Sequence, residues 1–341
     1  MVSRGRRDRD TGRYRMHVPR YWRRVFQVVD LSRTPAAATT RELPQAMDIF
    51  SWGYSDVSFA DAEARARQRL SEIVAHLRAP QGAEDFYYPM GVLREDAIRR
   101  IEQDGRERAV ITRNRYHAHV LNTAELMLVD IDIDCTDLTP PSFLQRLFGQ
   151  SAKVAARNRD VRLERIEQAC QRVQSFADHE PDLGLRLYET YGGLRAIISS
   201  QPYAPRSDEA SQIFDAFGSD PLFQMLCRAQ NCFRARLTPK YWRMNPEIRA
   251  QLPTSPSIGM RITPDLIAKP DDARAAGWSE FHERRLYKYD AWVERYEALH
   301  GAHATCRFIR HVGNTSVPPR LQELVSLHDD QTQAHTQLAL A

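Results

Sequence analysis

Lysine is scarce in this chain: Lys153, Lys240, Lys269 and Lys288 are the only four in 341 residues, against 44 arginines. Arginine grips phosphate with a planar fork of donors that lysine lacks, although genomic base composition also produces an arginine excess of this size. Long apolar runs are absent too. Leu126-Met-Leu-Val129 meets a carboxylate at once, and nothing approaches the roughly 18 apolar residues a bilayer span needs, so no membrane-spanning role is expected. The five cysteines are odd in number and contain no C-x-x-C pair, which argues against a disulfide framework and for a reducing, cytoplasmic setting. Cys227, Cys232, His300, His303 and Cys306 are zinc-type ligands whose spacing matches no standard knuckle; buried thiols and surface imidazoles are the simpler account, so zinc is not expected. There is no P-loop, no G-x-G-x-x-G turn, no G-x-S-x-G elbow and no H-E-x-x-H helix, which leaves nucleotide-hydrolase, Rossmann, hydrolase-elbow and zincin readings without their signatures.

The composition present is that of a globular protein, 42% hydrophobic and 27% charged, with a formal net charge of only +4, so any nucleic-acid binding must come from local clustering of charge. One such cluster is the arm of Arg4, Arg6, Arg7, Arg9, Arg13, Arg15, Arg20, Arg23 and Arg24. No apolar core follows in which a secretory signal could operate.

Along the chain, residues 58–78 carry a helical stripe of Phe59, Ala62, Ala66, Leu70, Ile73, Val74 and Leu77, with Ser58 and Asp61 as a start signal and Ala79-Pro-Gln-Gly82 as a break. A second helix is expected over 94–104. Strand-like runs follow at 109–112, 118–121 and 126–134, then a polar helix over 158–177. Leu185–Glu189 and Leu194–Ile198 read as a hairpin around Gly192-Gly193, whose glycines are expected to supply positive φ. Helices are expected at 207–217, 220–232, 279–299 and 319–328, a strand at 305–309, and an irregular connection at 244–278.

Two stretches carry chemistry. In Leu126–Asp134, Asp130, Asp132 and Asp134 recur at the strand period and share a face. Carboxylates so spaced repel unless a positive charge sits among them, and Mg²⁺ or Mn²⁺ is the usual solution; the alternative is a solvated strand edge. In Cys227–Arg243, the cations Arg228, Arg234, Arg236, Lys240 and Arg243 occur with no acid and are interleaved with Phe233, Tyr241 and Trp242. That mixture suits a nucleotide or single-stranded nucleic acid, with cations on phosphates and rings on bases, or else a loop whose arginine stems cover apolar surface. Thr112-Arg-Asn-Arg-Tyr116, holding Arg113 and Arg115, is a smaller version.

Pro19–Trp22, Thr112–Tyr116, Val120–Thr123 and Cys232–Lys240 resemble a group of uncharacterised bacterial proteins over most of the chain, a likeness that implies no activity. Residues 107–200 resemble the palm of archaeo-eukaryotic primases and primase-polymerases: Asp130-Ile-Asp132 matches their D-x-D strand, and Gly192-Gly-Leu-Arg195 is similar to their Gly-containing strand, with Arg195 where that family has histidine. The family's third metal-binding acid has no located counterpart. The resemblance implies an α+β fold with a central antiparallel or mixed sheet of palm (RRM-like) type, flanking helices and a helical N-terminal part. The expected divisions are a disordered basic arm at 1–20, an N-terminal α/β part at 21–105, a palm-like domain with C-terminal helices at 106–330, and a tail at 331–341. It further implies Asp130 and Asp132 as catalytic residues, with Gly193 and Arg195 on the nucleotide; the acidic strand itself offers Asp130, Asp132 and Asp134 to the metal, and the basic–aromatic mixtures put Arg113 and Arg115 on the nucleotide and Arg228, Arg234, Arg236, Lys240, Trp242 and Arg243 on nucleic acid. Three functions stay open: primase-like, metal-dependent nucleotide or nucleic-acid binding with nucleotidyl transfer; a non-catalytic nucleic-acid-binding or regulatory module; and a metal-dependent phosphodiesterase or nuclease. Oligomeric state is not legible.

Overall fold

The computed structural model describes residues 17, 19–30, 46–78, 93, 95–103, 105–114, 117–138, 150–253 and 280–341. The basic arm up to Met16, the break at 79–82, Arg115, Tyr116 and most of the 244–278 connection lie outside them. The chain divides into two compact units, the larger built from Ala97–Pro253 and Val293–Ala341, the smaller including His17–Asp96.

In the smaller unit, strands β1 (Tyr21–Asp30) and β2 (Ala46–Ser55) pair antiparallel, and helix α1 (Phe59–Arg78) packs on them. Val25 meets Ala66, Leu70 and Val74 of the expected helical stripe in a small apolar core. A Cβ at Gly53 would stand 2.0 Å from the Ala62 carbonyl oxygen, so the absence of a side chain there sets how closely helix and hairpin approach. The hairpin corrects the expectation of a helical N-terminal part.

The larger unit holds two four-stranded antiparallel sheets. The first runs β3 (Asp96–Gln103), β4 (Arg106–Arg113), β5 (His119–Thr123), β9 (Phe233–Arg236). The second runs β10 (Cys306–Gly313), β7 (Gly184–Thr190), β8 (Gly193–Ile198), β6 (Met127–Asp132). β3 is a strand where a helix was expected. Ile98 and Ile101 have helical spacing, but a turn at Gly105, with φ +71°, returns the chain beside β4, and sheet pairing overrides the local pattern.

Helix α2 (Ser151–Ala177) joins β6 to β7 and begins seven residues before its expected start. Its stripe of Ile166, Ala169, Cys170, Val173 and Ala177 joins Ile213, Phe214 and Phe217 of α3 (Asp208–Phe217) in one apolar core with β6, β7 and β8. A fully buried aliphatic or aromatic side chain contributes about 1.5–3 kcal/mol, so this core anchors the second sheet. Helix α4 (Pro221–Gln230) follows, capped by Asp220, and a four-residue helix α5 (Pro246–Arg249) interrupts the expected irregular connection. Helices α6 (Glu280–Leu299) and α7 (Pro319–Thr332) lie where the periodicity places them.

The last residues pack rather than trail. Ala334 and Ala341 are buried, Ala304 N donates to Ala339 O at 3.0 Å and Ala341 N to Ala304 O at 3.1 Å. The hairpin also forms for a different reason than expected: neither Gly192 nor Gly193 has positive φ. A Cβ on Gly193 would lie 2.2 Å from Ile131 O, so that glycine is required by the close approach of β8 to β6. Among the described residues no helix is long and apolar enough to cross a membrane.

Candidate functional site

Strand register builds the floor of the site. Asp130 on β6 stands opposite Arg195 on β8, and Arg195 opposite Tyr188 on β7. Arg195 is 1% exposed; its Nε donates to Asp130 Oδ1 at 2.7 Å and its Nη2 to Oδ2 at 3.3 Å. Nη1 donates to Arg236 O at 3.0 Å and lies 3.3 Å from His328 Nε2. Burial works against the Arg195 charge, but Asp130 outweighs it and raises the guanidinium's pKa.

Behind this pair runs a buried network that no sequence signal announced. Asp329 Oδ1 accepts from Tyr188 Oη at 2.7 Å and lies 3.1 Å from His328 Nδ1, while Oδ2 accepts from Arg186 Nη2 at 2.6 Å. Burial alone would raise the Asp329 carboxyl, but hydrogen bonds from His328 and Tyr188 outweigh it and hold it at about 2. Burial takes His328 down to about 4. A neutral His328 therefore accepts from Arg195 through Nε2 and donates to Asp329 through Nδ1. Cys306 Sγ lies 3.9 Å from His328 Nε2, but burial pushes that thiol up to about 11, so it is a packing thiol rather than a nucleophile.

The basic segment arrives from the other sheet. The alternation of β9 buries Phe233 and Ala235 and turns Arg234 and Arg236 to the opposite face. Beyond it the chain is pinned: Leu237 N donates to His119 O at 2.8 Å, Thr305 Oγ1 to Leu237 O at 2.9 Å, and Tyr296 Oη lies 2.7 Å from Thr238 Oγ1. This anchorage delivers Lys240 and the 3₁₀ turn Tyr241–Arg243 to the rim of the acidic strand. Arg243 sits over the Tyr191 ring at 4.4 Å, and Lys240 Nζ lies 5.4 Å from the Trp242 ring centroid. Tyr191 and Trp242 are 49% and 38% exposed, so both rings offer stacking surface.

Asp132 stands at the mouth, reached by solvent on one side and crowded by protein on the other. A Cβ on Gly192 would lie 3.7 Å from its Oδ1 and 3.9 Å from Arg243 Nη2, which places carboxylate and guanidinium around the same turn. Desolvation raises the Asp132 carboxyl, Asp130 and Asp220 add to the rise, and Lys240 and Arg243 oppose it. Burial brings Arg236 to about 10 and Lys240 to about 8, each helped by the neighbouring guanidinium charges. The buried Nε of Arg236 has no hydrogen-bond partner among the described residues. A cleft of about 370 Å³ continues from Asp132 between β6 and α2, lined also by Asp134, Asp137, Arg165 and Arg172.

The expected residues thus separate into those that converge and those that do not. Asp130, Asp132, Gly193, Arg195, Arg236, Lys240, Trp242 and Arg243 come together, whereas Asp134 lies past the strand end, where its Oδ1 accepts from Thr136 N at 2.9 Å and Thr136 Oγ1 at 2.7 Å. Arg113 is committed elsewhere: its Nη1 donates to Glu297 Oε1 at 2.7 Å, an oxygen also 2.7 Å from His119 Nε2. Arg228 donates to Ser211 Oγ at 2.9 Å on the outside of α4, and Arg234 to Gln230 Oε1 at 3.0 Å. Arg115 lies outside the described residues. Tyr191 and Asp220 are site residues that the sequence reading did not single out; the exposed aromatic next to Gly192-Gly193 was the available signal for the first.

The donor set bears on the expected divalent ion. Among the described residues no three His, Cys, Asp or Glu side chains are grouped to hold a metal, Arg195 takes both oxygens of Asp130, and three further cations act on the same face. Such a set fits an anion better than a cation. The chain matches no protein-family model, no curated protein and no solved structure.

Proposed function

We propose that the chain binds a nucleotide, free or within a single strand, with its phosphate held by Arg243, Lys240 and Arg236 and its base stacked on Tyr191 or Trp242. The observation that carries this reading is the convergence of those three cations, from a segment containing no acid, on the rim formed by Asp132 and the Tyr191-Gly192 turn. An unmatched donor on Arg236 supports it, because a buried N–H without an acceptor costs about 1–3 kcal/mol unless a ligand supplies one. Arg195 and Asp130 form the floor in this reading, and the His328–Asp329 network fixes that floor in place. The test is thermal stability with ATP and, separately, with adenosine: a native-state ligand raises the melting temperature by mass action, and the phosphate must be needed for the rise. Equal effects of the two compounds, or none, would refute it.

A second reading keeps the palm (RRM-like) classification and metal-dependent nucleotidyl transfer, with Mg²⁺ or Mn²⁺ on Asp130 and Asp132. It is favoured by one observation, the position of the D-x-D strand beside the strand that carries Gly193 and Arg195. Against it stands the guanidinium on both oxygens of Asp130. Stabilisation by Mn²⁺ that disappears in Asp132→Asn would favour this second reading over the first.

A further inference from the structure

We propose that Asp132 selects the sugar of the ligand: its carboxylate accepts a hydrogen bond from the ribose 2′-hydroxyl, which makes the site one for ribonucleotides and single-stranded RNA rather than DNA. This rests on the phosphate site proposed above and names the substrate class it takes.

Of the carboxylates along the acidic strand and the turn after it, all but one are engaged. Arg195 closes on both oxygens of Asp130 at 2.7 and 3.3 Å. Asp134 Oδ1 accepts from Thr136 N at 2.9 Å and Thr136 Oγ1 at 2.7 Å, and Arg165 takes both oxygens of Asp137 at 2.7 Å. Asp132 is exposed and has no hydrogen bond or ion pair among the described residues. The Arg243 guanidinium is in the same condition: it rests on the Tyr191 ring at 4.4 Å and makes no hydrogen bond among the described residues. Asp132 Oδ1 lies 3.7 Å and Arg243 Nη2 3.9 Å from the point a Gly192 Cβ would occupy, yet the two do not close into an ion pair. An unmet acceptor and an unmet donor thus flank one gap. The backbone does not require glycine at 192, because its φ is not positive and a methyl group there would make only ordinary contacts. What glycine preserves is the open space beside carboxylate and guanidinium.

A group that fits this gap donates on one side and accepts on the other. A hydroxyl does both through one oxygen, whereas an ionised phosphate only accepts and the hydrogen of deoxyribose does neither. Within a strand the 2′-hydroxyl is the one sugar hydroxyl left unesterified, and it is the group by which proteins tell RNA from DNA. It stands on the carbon next to the one that bears the 3′-phosphate, so the fork of a single guanidinium reaches both. The buried Nε of Arg236, without a hydrogen-bond partner among the described residues, is a further donor for that phosphate. Deoxyribose would leave Asp132 and one arm of Arg243 unmatched, and a site built around a hydroxyl rejects the analogue that lacks it.

The experiment compares fluorescent single strands of one length and base sequence, built on ribose, 2′-deoxyribose or 2′-fluororibose, with EDTA present. Wild type should bind the ribose strand about tenfold more tightly than either of the others, because each of them loses a hydrogen bond to a charged group. The fluoro sugar keeps the pucker of RNA but cannot donate, which separates the hydrogen bond from the shape of the strand. Asp132→Ala should abolish the preference, and Asp132→Asn, which keeps an acceptor oxygen, should retain part of it. Removing a carboxylate strengthens the binding of every strand, so the ratio of affinities is the readout. Gly192→Ala keeps both charges, fills the gap and should also abolish the preference, with a melting profile to confirm folding. Equal binding of ribose and deoxyribose strands by wild type overturns the sugar inference and leaves the phosphate reading standing. A preference that survives in Asp132→Ala, that the fluoro strand shares, or that appears only with added Mg²⁺ overturns it as well. Absence of binding to every strand at low salt removes both readings together.

Discussion

Arg195 and Asp130 face each other across the antiparallel β8 and β6 strands, and the buried guanidinium closes on both carboxylate oxygens at 2.7 and 3.3 Å. The two acids of this strand therefore do different work, although they are two residues apart and share a face. Asp130 compensates a buried charge, whereas Asp132 sits among charges of both signs at the mouth. Asp130→Asn should destabilise the protein by about 3 kcal/mol, because removing one partner leaves the other charge buried. Asp132→Asn should leave stability unchanged or slightly raised. Urea denaturation of the two variants checks this, and equal effects would contradict it.

How much of this was legible depends on sequence distance. The long helices and the β7–β8 hairpin could be read because local periodicity coincides with tertiary burial, whereas the four-residue α5 is too short to show a period. β1 could not, since the adjacent Arg23 and Arg24 break the alternation around buried Trp22 and Val25. β3 was misread because its isoleucines have helical spacing. In the site, Asp132 and Lys240 were each singled out for their chemistry, but their convergence was invisible, because it is made by packing between two sheets more than a hundred residues apart in sequence. Arg195 was expected to meet a phosphate; its burial depends on His328, 133 residues later. No local pattern encodes that partner.

Acid should unfold the protein through this network. His328 titrates at about 4 in the fold against an ordinary 6.5, so between those values the unfolded chain binds more protons and stability falls as pH falls. Asp329, held at about 2 against 3.8, acts in the same direction below that window. The His328 contribution is about 1.4 kcal/mol per pH unit. His328→Gln keeps an acceptor for Arg195 and a donor for Asp329 without titrating, so its stability should change less between pH 6.5 and 4.5. An unaltered pH slope in that variant would contradict the neutral, buried imidazole.

Lys240 should act with the same sign in a higher pH window. Its amine titrates at about 8 in the fold against 10.5 ordinarily, so wild-type stability should rise as pH goes from 8 towards 10.5. Lys240→Met removes the half-buried charge and should stabilise the protein at pH 7 by about 1 kcal/mol after solvent screening, while weakening nucleotide binding. Calorimetric melting at pH 7 and 10 separates the two proteins: the gain should shrink at the higher pH. A variant less stable than wild type at pH 7 would show that Lys240 is a structural cation.

The most direct measurement of the central claim is the salt dependence of binding to a fluorescent single-stranded oligonucleotide, for wild type and for the double variant Lys240→Gln, Arg243→Gln. Each phosphate contact to a single strand releases condensed counterion and contributes about −0.7 to the slope of log K against log salt. Loss of both contacts should therefore flatten the slope by about 1.4, with Arg113→Gln, whose guanidinium is committed to Glu297, leaving it unchanged. Binding that is absent at low salt, or a slope identical in wild type and double variant, would contradict the account.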